Sequence, residues 1–78
     1  MQITVMKNGS ISFSNGYYHV NQRREIFVNL KEPKEDNIAG KFDFEFPEGF
    51  DLWGRNAKSR KAVTTLLNRA KNMIKVRG

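Results

Sequence analysis

One helical period, confined to the C-terminal third of the chain, most constrains how this sequence can fold. Apolar residues in this stretch recur at steps of three and four, which places them on one side of a helix. They are Ala62, Val63, Leu66, Leu67, Ala70, Met73 and Ile74. Asn56 is the predicted N-cap, because its side-chain oxygen can accept an amide hydrogen two or three residues further on. The helix is therefore predicted over residues 56–75.

The sequence before this helix alternates between polar and apolar residues, with the period of two that is typical of strands. Strands are predicted over residues 2–7, 10–14, 17–20, 25–30 and 41–46. Asn8-Gly9 and Asn15-Gly16 separate the first three, and Asn-Gly between alternating runs strongly favours a hairpin. The chain should begin with an antiparallel meander.

The turn at Asn8-Gly9 decides which side chains of the meander share a face. A two-residue loop would turn Ile3 and Val5 to the wrong side. A three-residue loop, with Gly9 as a left-handed bulge, pairs Val5 with Ile11 and keeps the apolar face whole. We therefore predict the bulged turn. With a two-residue loop at Asn15-Gly16, the predicted buried set is Ile3, Val5, Ile11, Phe13, Tyr18 and Val20, and the opposite face shows Ser12, Ser14, Tyr17 and His19.

The remaining apolar residues complete the predicted core. They are Ile26, Val28 and Leu30 on one face of the fourth strand, Phe42, Phe44 and Phe46 on the fifth, and Phe50, Leu52 and Trp53 over the end of the core. The predicted fold class is α+β, with a four- to five-stranded antiparallel sheet packed by one C-terminal amphipathic helix. Residues 1–78 should form a single small domain.

Composition narrows the classes of function. The chain has no cysteine and one histidine, which leaves few routes to catalysis or to a transition-metal site. Asp43 and Glu45 point the same way on a strand but are typical of a solvated surface pair. No apolar run is long enough to span a membrane, and no signal-peptide pattern occurs. We expect a soluble, cytoplasmic protein that is not an enzyme, has no cofactor and does not enter a membrane.

Charge is segregated along the chain, whose net charge is +6. All eight acidic residues lie within residues 25–51, whereas residues 52–78 carry eight basic residues and no acid. A surface with one basic side favours polyanions as partners, because binding releases their counterions.

The predicted helix start is rich in positive charge. Lys58, Arg60 and Lys61 lie in the first turns, where the helix dipole makes positive side chains unfavourable. Three cations beside free amides would form an anion site. The other basic residues of the segment that we assign to binding are Arg55, Arg69, Lys71 and Lys75.

A second basic cluster is mixed with aromatic residues in the sequence YYHVNQRR. Tyr17 and His19 offer rings that stack on unpaired bases, and Arg23 and Arg24 offer guanidinium groups for phosphate or a guanine edge. Tyr18 is assigned to the core.

The stretches SNGYYHVNQRREIFVNL and SRKAVTTLLNRAKN resemble the amino-terminal arm-binding domain of phage-type tyrosine integrases. In that family a three-stranded sheet lies in the major groove of DNA and a C-terminal helix braces it from behind. The resemblance implies that Tyr17, His19, Arg23 and Arg24 face the groove. It covers about half of the chain, and residues 31–46 are an insertion relative to the family pattern.

These observations predict a small protein that binds nucleic acid, DNA or RNA, without catalysis. Most of its contacts should be with phosphates, and Tyr17 and His19 should contact bases or sugar. The alternative is a protein-binding inhibitor or adaptor of the kind that mobile elements encode, whose basic helix docks on an acidic protein surface or whose sheet edge pairs with a partner strand. Six phenylalanines are many for so small a core, which leaves a homodimer open under either function.

Overall fold

A five-stranded antiparallel sheet and one helix form the fold in the computed structural model, which describes residues 1–13, 17–28 and 31–76. The elements are β1 (Gln2–Met6), β2 (Ile11–Phe13), β3 (Tyr18–Val20), β4 (Ile26–Val28), a 3₁₀ turn (Glu35–Asn37), β5 (Ile38–Asp43) and α1 (Ala57–Val76). The strands are ordered β4-β3-β2-β1-β5 across the sheet. The predicted α+β class, with an antiparallel sheet packed by one C-terminal helix, is confirmed.

The turn between β1 and β2 has the predicted bulge. Gly9 adopts φ +88, a left-handed conformation that a side chain would disfavour. The Met6 amide donates to the Ser10 carbonyl over 2.8 Å, and Val5 pairs with Ile11. The extra residue in the loop keeps the apolar side chains of β1 on the face that meets the helix.

The register between β2 and β3 also follows the prediction. Phe13 lies opposite Tyr18, and Ile11 lies opposite Val20. Four residues used in the predictions lie outside the described residues: Ser14, Asn15, Gly16 and Leu30.

The core lies between the sheet and α1. Its buried members are Ile3, Val5, Ile11, Phe13, Val20, Ala39, Val63, Leu66, Leu67 and Ala70. Ala62 is also buried, and Met73 and Ile74 pack against the core from the last turns of the helix. Tyr18 was predicted to be buried, but it is only half-buried in the structure. Its ring lies edge-on to the ring of Trp53.

β5 begins and ends earlier than predicted, at Ile38 and Asp43 instead of residues 41–46. The pairing with β1 accompanies this extent: Gln2, the first residue of β1, pairs with Asp43, the last residue of β5. The Phe44 amide donates to the Met1 carbonyl over 2.9 Å, which completes the ladder. The chain then leaves the sheet, although Phe44 and Phe46 still pack against the core.

The described part of the β4–β5 connection, residues 31–37, lies over the face of the sheet opposite α1. β4 and β5 run in the same direction at opposite edges, so the chain between them must traverse the sheet. Glu32 and Pro33 line a small cavity of about 90 Å³ with Thr4 and Ser12. Ser12, predicted to be exposed, is therefore buried, with 3% of its surface accessible.

Val28 was predicted on the buried face of the fourth strand, but 62% of its surface is exposed. α1 packs mainly over β1, β2 and β5, whereas β4 lies at the far edge of the sheet. Phe27, on the opposite face of β4, is 52% exposed. β4 is thus an edge strand with apolar side chains that the helix does not cover.

The start of α1 has the predicted cap. The Ser59 amide donates to the Asn56 side-chain oxygen over 2.8 Å, and the Arg60 amide donates to the Asn56 carbonyl over 3.1 Å. Within the described residues, α1 and the 3₁₀ turn both fall short of the length and apolar character needed to cross a membrane.

Candidate nucleic-acid interface

Arg24 connects the two basic clusters that are separate in the sequence. It lies in the β3–β4 turn, and its guanidinium donates a hydrogen bond to the Thr64 hydroxyl on the outer side of α1. Thr64 in turn donates to the Arg60 carbonyl over 2.9 Å. The β3–β4 turn and the first half of α1 therefore present their cations on one continuous surface.

The backbone of this turn is specialised at Arg24. Asn21 holds the turn by accepting the amides of Arg23 and Glu25 on its side-chain oxygen, over 3.0 and 2.9 Å. Arg24 itself has φ +68, which is uncommon for a residue other than glycine. Residues other than glycine in this conformation are concentrated at functional sites of proteins.

The lysines of α1 lie on its outer arc, away from the sheet. They are Lys58, Lys61, Lys71 and Lys75, and all four are exposed. Lys71 and Lys75 are four residues apart, a spacing at which like charges destabilise a helix by about 0.2–0.5 kcal/mol. Stability alone would favour an acid in one of these positions.

Internal acids neutralise little of this charge. Among the described residues, Arg55 with Asp51 forms the one ion pair, with Nε 3.3 Å from Oδ2. Three further arginines of the described part of the chain meet neutral groups. Arg24 donates to Thr64, and the Arg60 guanidinium donates to the Gly54 carbonyl over 3.1 Å. The Arg69 guanidinium lies 4.8 Å from the Phe42 ring centre. The positive charge of this surface remains available to a partner.

Side chains of the protein itself accept several amide hydrogens at and just before the start of α1. The Ser59 amide is taken by Asn56, and Asp51 accepts the amides of Trp53 and Arg55 over 3.2 and 3.3 Å. A carboxylate thus already lies beside the helix entry. Lys58 and Lys61 point into solvent, while Arg60 folds back along the preceding loop.

The aromatic residues of the second cluster are divided between two faces of the sheet. Tyr17 is 41% exposed, and its ring lies edge-on to that of Tyr18, with 4.5 Å between the centres. Tyr18 contacts Trp53 in the same way, at 5.9 Å. His19 is half-buried on the other face of β3, where it pairs across the sheet with Ser12 and Phe27. Tyr17 precedes β3 and therefore lies at the opposite end of this strand from the arginines of the β3–β4 turn, whereas His19 lies on the face away from α1.

Trp53 separates two depressions in this surface. One, here called the aromatic cavity, has a volume of about 390 Å³ and is lined by Met1, Phe13, Tyr18, Phe46, Phe50, Leu52 and Trp53. The other, here called the arginine groove, has a volume of about 150 Å³ and is lined by Val20, Arg24, Ile26, Leu52, Trp53, Gly54, Arg60 and Val63. Leu52 and Trp53 form the wall that both share.

Trp53 is the residue of this surface that the sequence did not identify. It was predicted to cover the end of the core, yet 55% of its surface is exposed, and the Arg55 guanidinium lies 5.9 Å from its ring centre. Its position in the sequence LWGR, directly before the basic segment, is the feature that could have indicated an exposed role.

Comparison of the chain with protein-family models, with curated protein sequences and with solved structures found no match.

Proposed function

We propose that this protein binds nucleic acid without catalysing a reaction on it, through the outer arc of α1 and the β3–β4 turn. The observation that carries the proposal is the hydrogen bond from Arg24 to Thr64, which joins two basic clusters from distant parts of the chain. Most cations on the joined surface meet solvent or neutral groups, so they can pair with phosphates. Such contacts give affinity and position, whereas contacts with bases give specificity.

The far face of the sheet is a less favourable contact surface. The resemblance to integrase arm-binding domains implies that this face enters a DNA groove. Here the β4–β5 connection lies against Thr4 and Ser12 on that face, and the cavity between them is lined by Glu32, an acid. We therefore propose contact through α1 and the turn, with His19 outside the interface.

The proposal is tested by fluorescence anisotropy with single- and double-stranded DNA and RNA. Four or five phosphate contacts would lower the affinity by about 10²–10³ between about 50 and 200 mM salt. The double variant Lys61→Glu, Lys75→Glu should weaken binding to every sequence alike, because it reverses charge on the outer arc of α1.

The matched control is Lys34→Glu, Lys41→Glu, which changes charge equally at exposed lysines outside this surface. It should weaken binding much less. An affinity that does not change with salt concentration would contradict the proposal. An equal loss of affinity in the two double variants would contradict it as well.

One observation favours the second candidate function, a protein-binding inhibitor or adaptor. β4 is an edge strand on which Phe27 and Val28 are both largely exposed, and such an edge can accept a partner strand. Val28→Lys would block this pairing and leave nucleic-acid binding intact. An absorbance ratio that indicates co-purified nucleic acid, removed by a high-salt wash, would favour the first candidate.

A further inference from the structure

We propose that the aromatic cavity takes one unpaired base and that the arginine groove takes the adjacent phosphate, so that the protein prefers single strands to duplexes. This inference rests on the proposed function and adds the class of nucleic acid. Trp53 carries it, because this residue forms a wall of both depressions.

The aromatic cavity suits a flat, largely apolar group. Its lining is almost entirely aromatic and aliphatic, with the Tyr18 phenol as a polar group. Its volume of about 390 Å³ is within the range of small-ligand sites in proteins, about 300–1,000 Å³. Trp53 exposes 55% of its surface, so the cavity can be reached from solvent along this wall. A nucleobase presents the flat face that such rings stack on.

The arginine groove supplies the charge that a nucleotide requires. A guanidinium has five N–H donors. Arg24 donates to the Thr64 hydroxyl and Arg60 to the Gly54 carbonyl, so each retains donors for another group. Both acceptors are neutral, and the positive charge of both side chains is therefore retained. Two guanidinium groups beside one exposed indole favour an anion with an attached ring over an uncharged apolar ligand.

A base within a duplex does not satisfy this arrangement. Both of its faces stack on neighbouring bases, and removal from the stack has a free-energy cost that a single strand largely avoids. The preference for single strands follows from this difference and applies equally to DNA and RNA, because the cavity and the groove engage base and phosphate.

The fluorescence of Trp53, the only tryptophan of the chain, reports directly on the cavity. The probes are oligo(dT) and oligo(U) of about 20 nucleotides, longer than the site sizes of small single-strand-binding folds, and the duplex of oligo(dT) with oligo(dA). Both single strands should quench the fluorescence. Their affinity for the protein should exceed that of the duplex by a factor of about ten or more. Comparison of the affinities for oligo(dT) and oligo(U) shows whether the protein binds single-stranded DNA, single-stranded RNA or both.

The variant Trp53→Ala should lower the affinity for single strands about tenfold, and Trp53→Phe, which keeps a ring, should lose less. Phe27→Ala is the matched control, since it removes an exposed ring from the far face of the sheet and should bind as the original protein does. Circular dichroism establishes that each variant is folded.

The outcomes separate this inference from the proposed function. Salt-dependent binding of duplex and single strand with equal affinity, and without quenching, overturns the inference and leaves the proposed function standing. An absence of binding to all three probes overturns both. Fluorescence that changes with protein concentration alone indicates that a second copy of the chain covers Trp53, and this also overturns the inference.

Discussion

At the scale of single residues, Arg24 shows a conflict between backbone conformation and side-chain placement. Its left-handed backbone would favour glycine, since an L-residue in this conformation costs about 1–2 kcal/mol. The same conformation directs the guanidinium to Thr64 on α1, where it joins the positive surface of the helix. The turn thus carries arginine at a position where stability alone would favour glycine, which has no side chain.

We expect Arg24→Gly to be more stable than Arg24→Ala by about 1 kcal/mol. Both variants lose the contact with Thr64, but only the alanine variant retains the backbone strain. Urea denaturation followed by circular dichroism measures the difference. Both should weaken nucleic-acid binding to the same extent, because both lack the guanidinium. Equal stability of the two variants would show that φ +68 has no cost at this turn.

At the scale of elements, Gln22 holds three segments together. Its side-chain amide donates to the Gly9 carbonyl over 2.7 Å and to the Leu67 carbonyl over 3.0 Å. The β1–β2 turn, the β3–β4 turn and the middle of α1 meet at this side chain. The contact fixes how α1 lies along the sheet, and therefore how close Arg24 comes to Thr64.

Substitutions of Gln22 should destabilise the fold, and the number of hydrogen bonds that each replacement loses or opposes should set the size of the effect. Gln22→Ala loses two hydrogen bonds, at a cost of about 1–2 kcal/mol. Gln22→Glu should cost more, because a carboxylate cannot donate and would face two carbonyl oxygens.

Asn68→Ala, at an exposed position of α1, is the control and should be neutral or slightly stabilising because alanine favours a helix. The free energy of unfolding in urea measures all three variants. A glutamate variant as stable as the original protein would refute this role for the amide.

At the scale of the whole molecule, charge is distributed unevenly over the folded protein. The net charge is +6, and Arg55 with Asp51 is the one ion pair among the described residues. Unpaired cations along α1 repel one another, and this repulsion opposes the compact state. A phosphate polymer would relieve it, as would simple salt.

The melting temperature of the free protein should therefore rise by a few degrees as sodium chloride increases from about 20 to 200 mM. The screening length shortens to less than about 8 Å, which weakens the repulsion between the cations. Differential scanning calorimetry measures the shift. The rise should be smaller in Lys61→Glu, Lys75→Glu, whose net charge is lower. A melting temperature that falls with salt would mean that internal ion pairs dominate, against the proposed function.

Features set by neighbouring residues were predictable from the sequence. The left-handed Gly9 followed from the demand that Val5 and Ile11 share a face, and the Asn56 cap followed from its place before the helical period. The apolar stripe of α1 followed from the period itself. In each case the cause lies within a few residues, where backbone conformation and side-chain spacing act directly.

The features that were predicted wrongly depend on contacts between distant segments. Ser12 is buried because Glu32 and Pro33 of the β4–β5 connection lie over it, and Val28 is exposed because α1 packs mainly over β1, β2 and β5. Strand alternation assigns side chains to two faces, but it does not say what covers either face.

The sequence by itself determined the class of the fold and the basic character of its last third, because periodicity and charge are properties of residue order. Only the tertiary structure decided which cations share a surface: Arg24 meets Thr64 across forty positions of sequence. It also decided that Trp53 lies between an aromatic cavity and two arginines. These contacts form only when distant segments pack against one another, so a local sequence pattern cannot predict them.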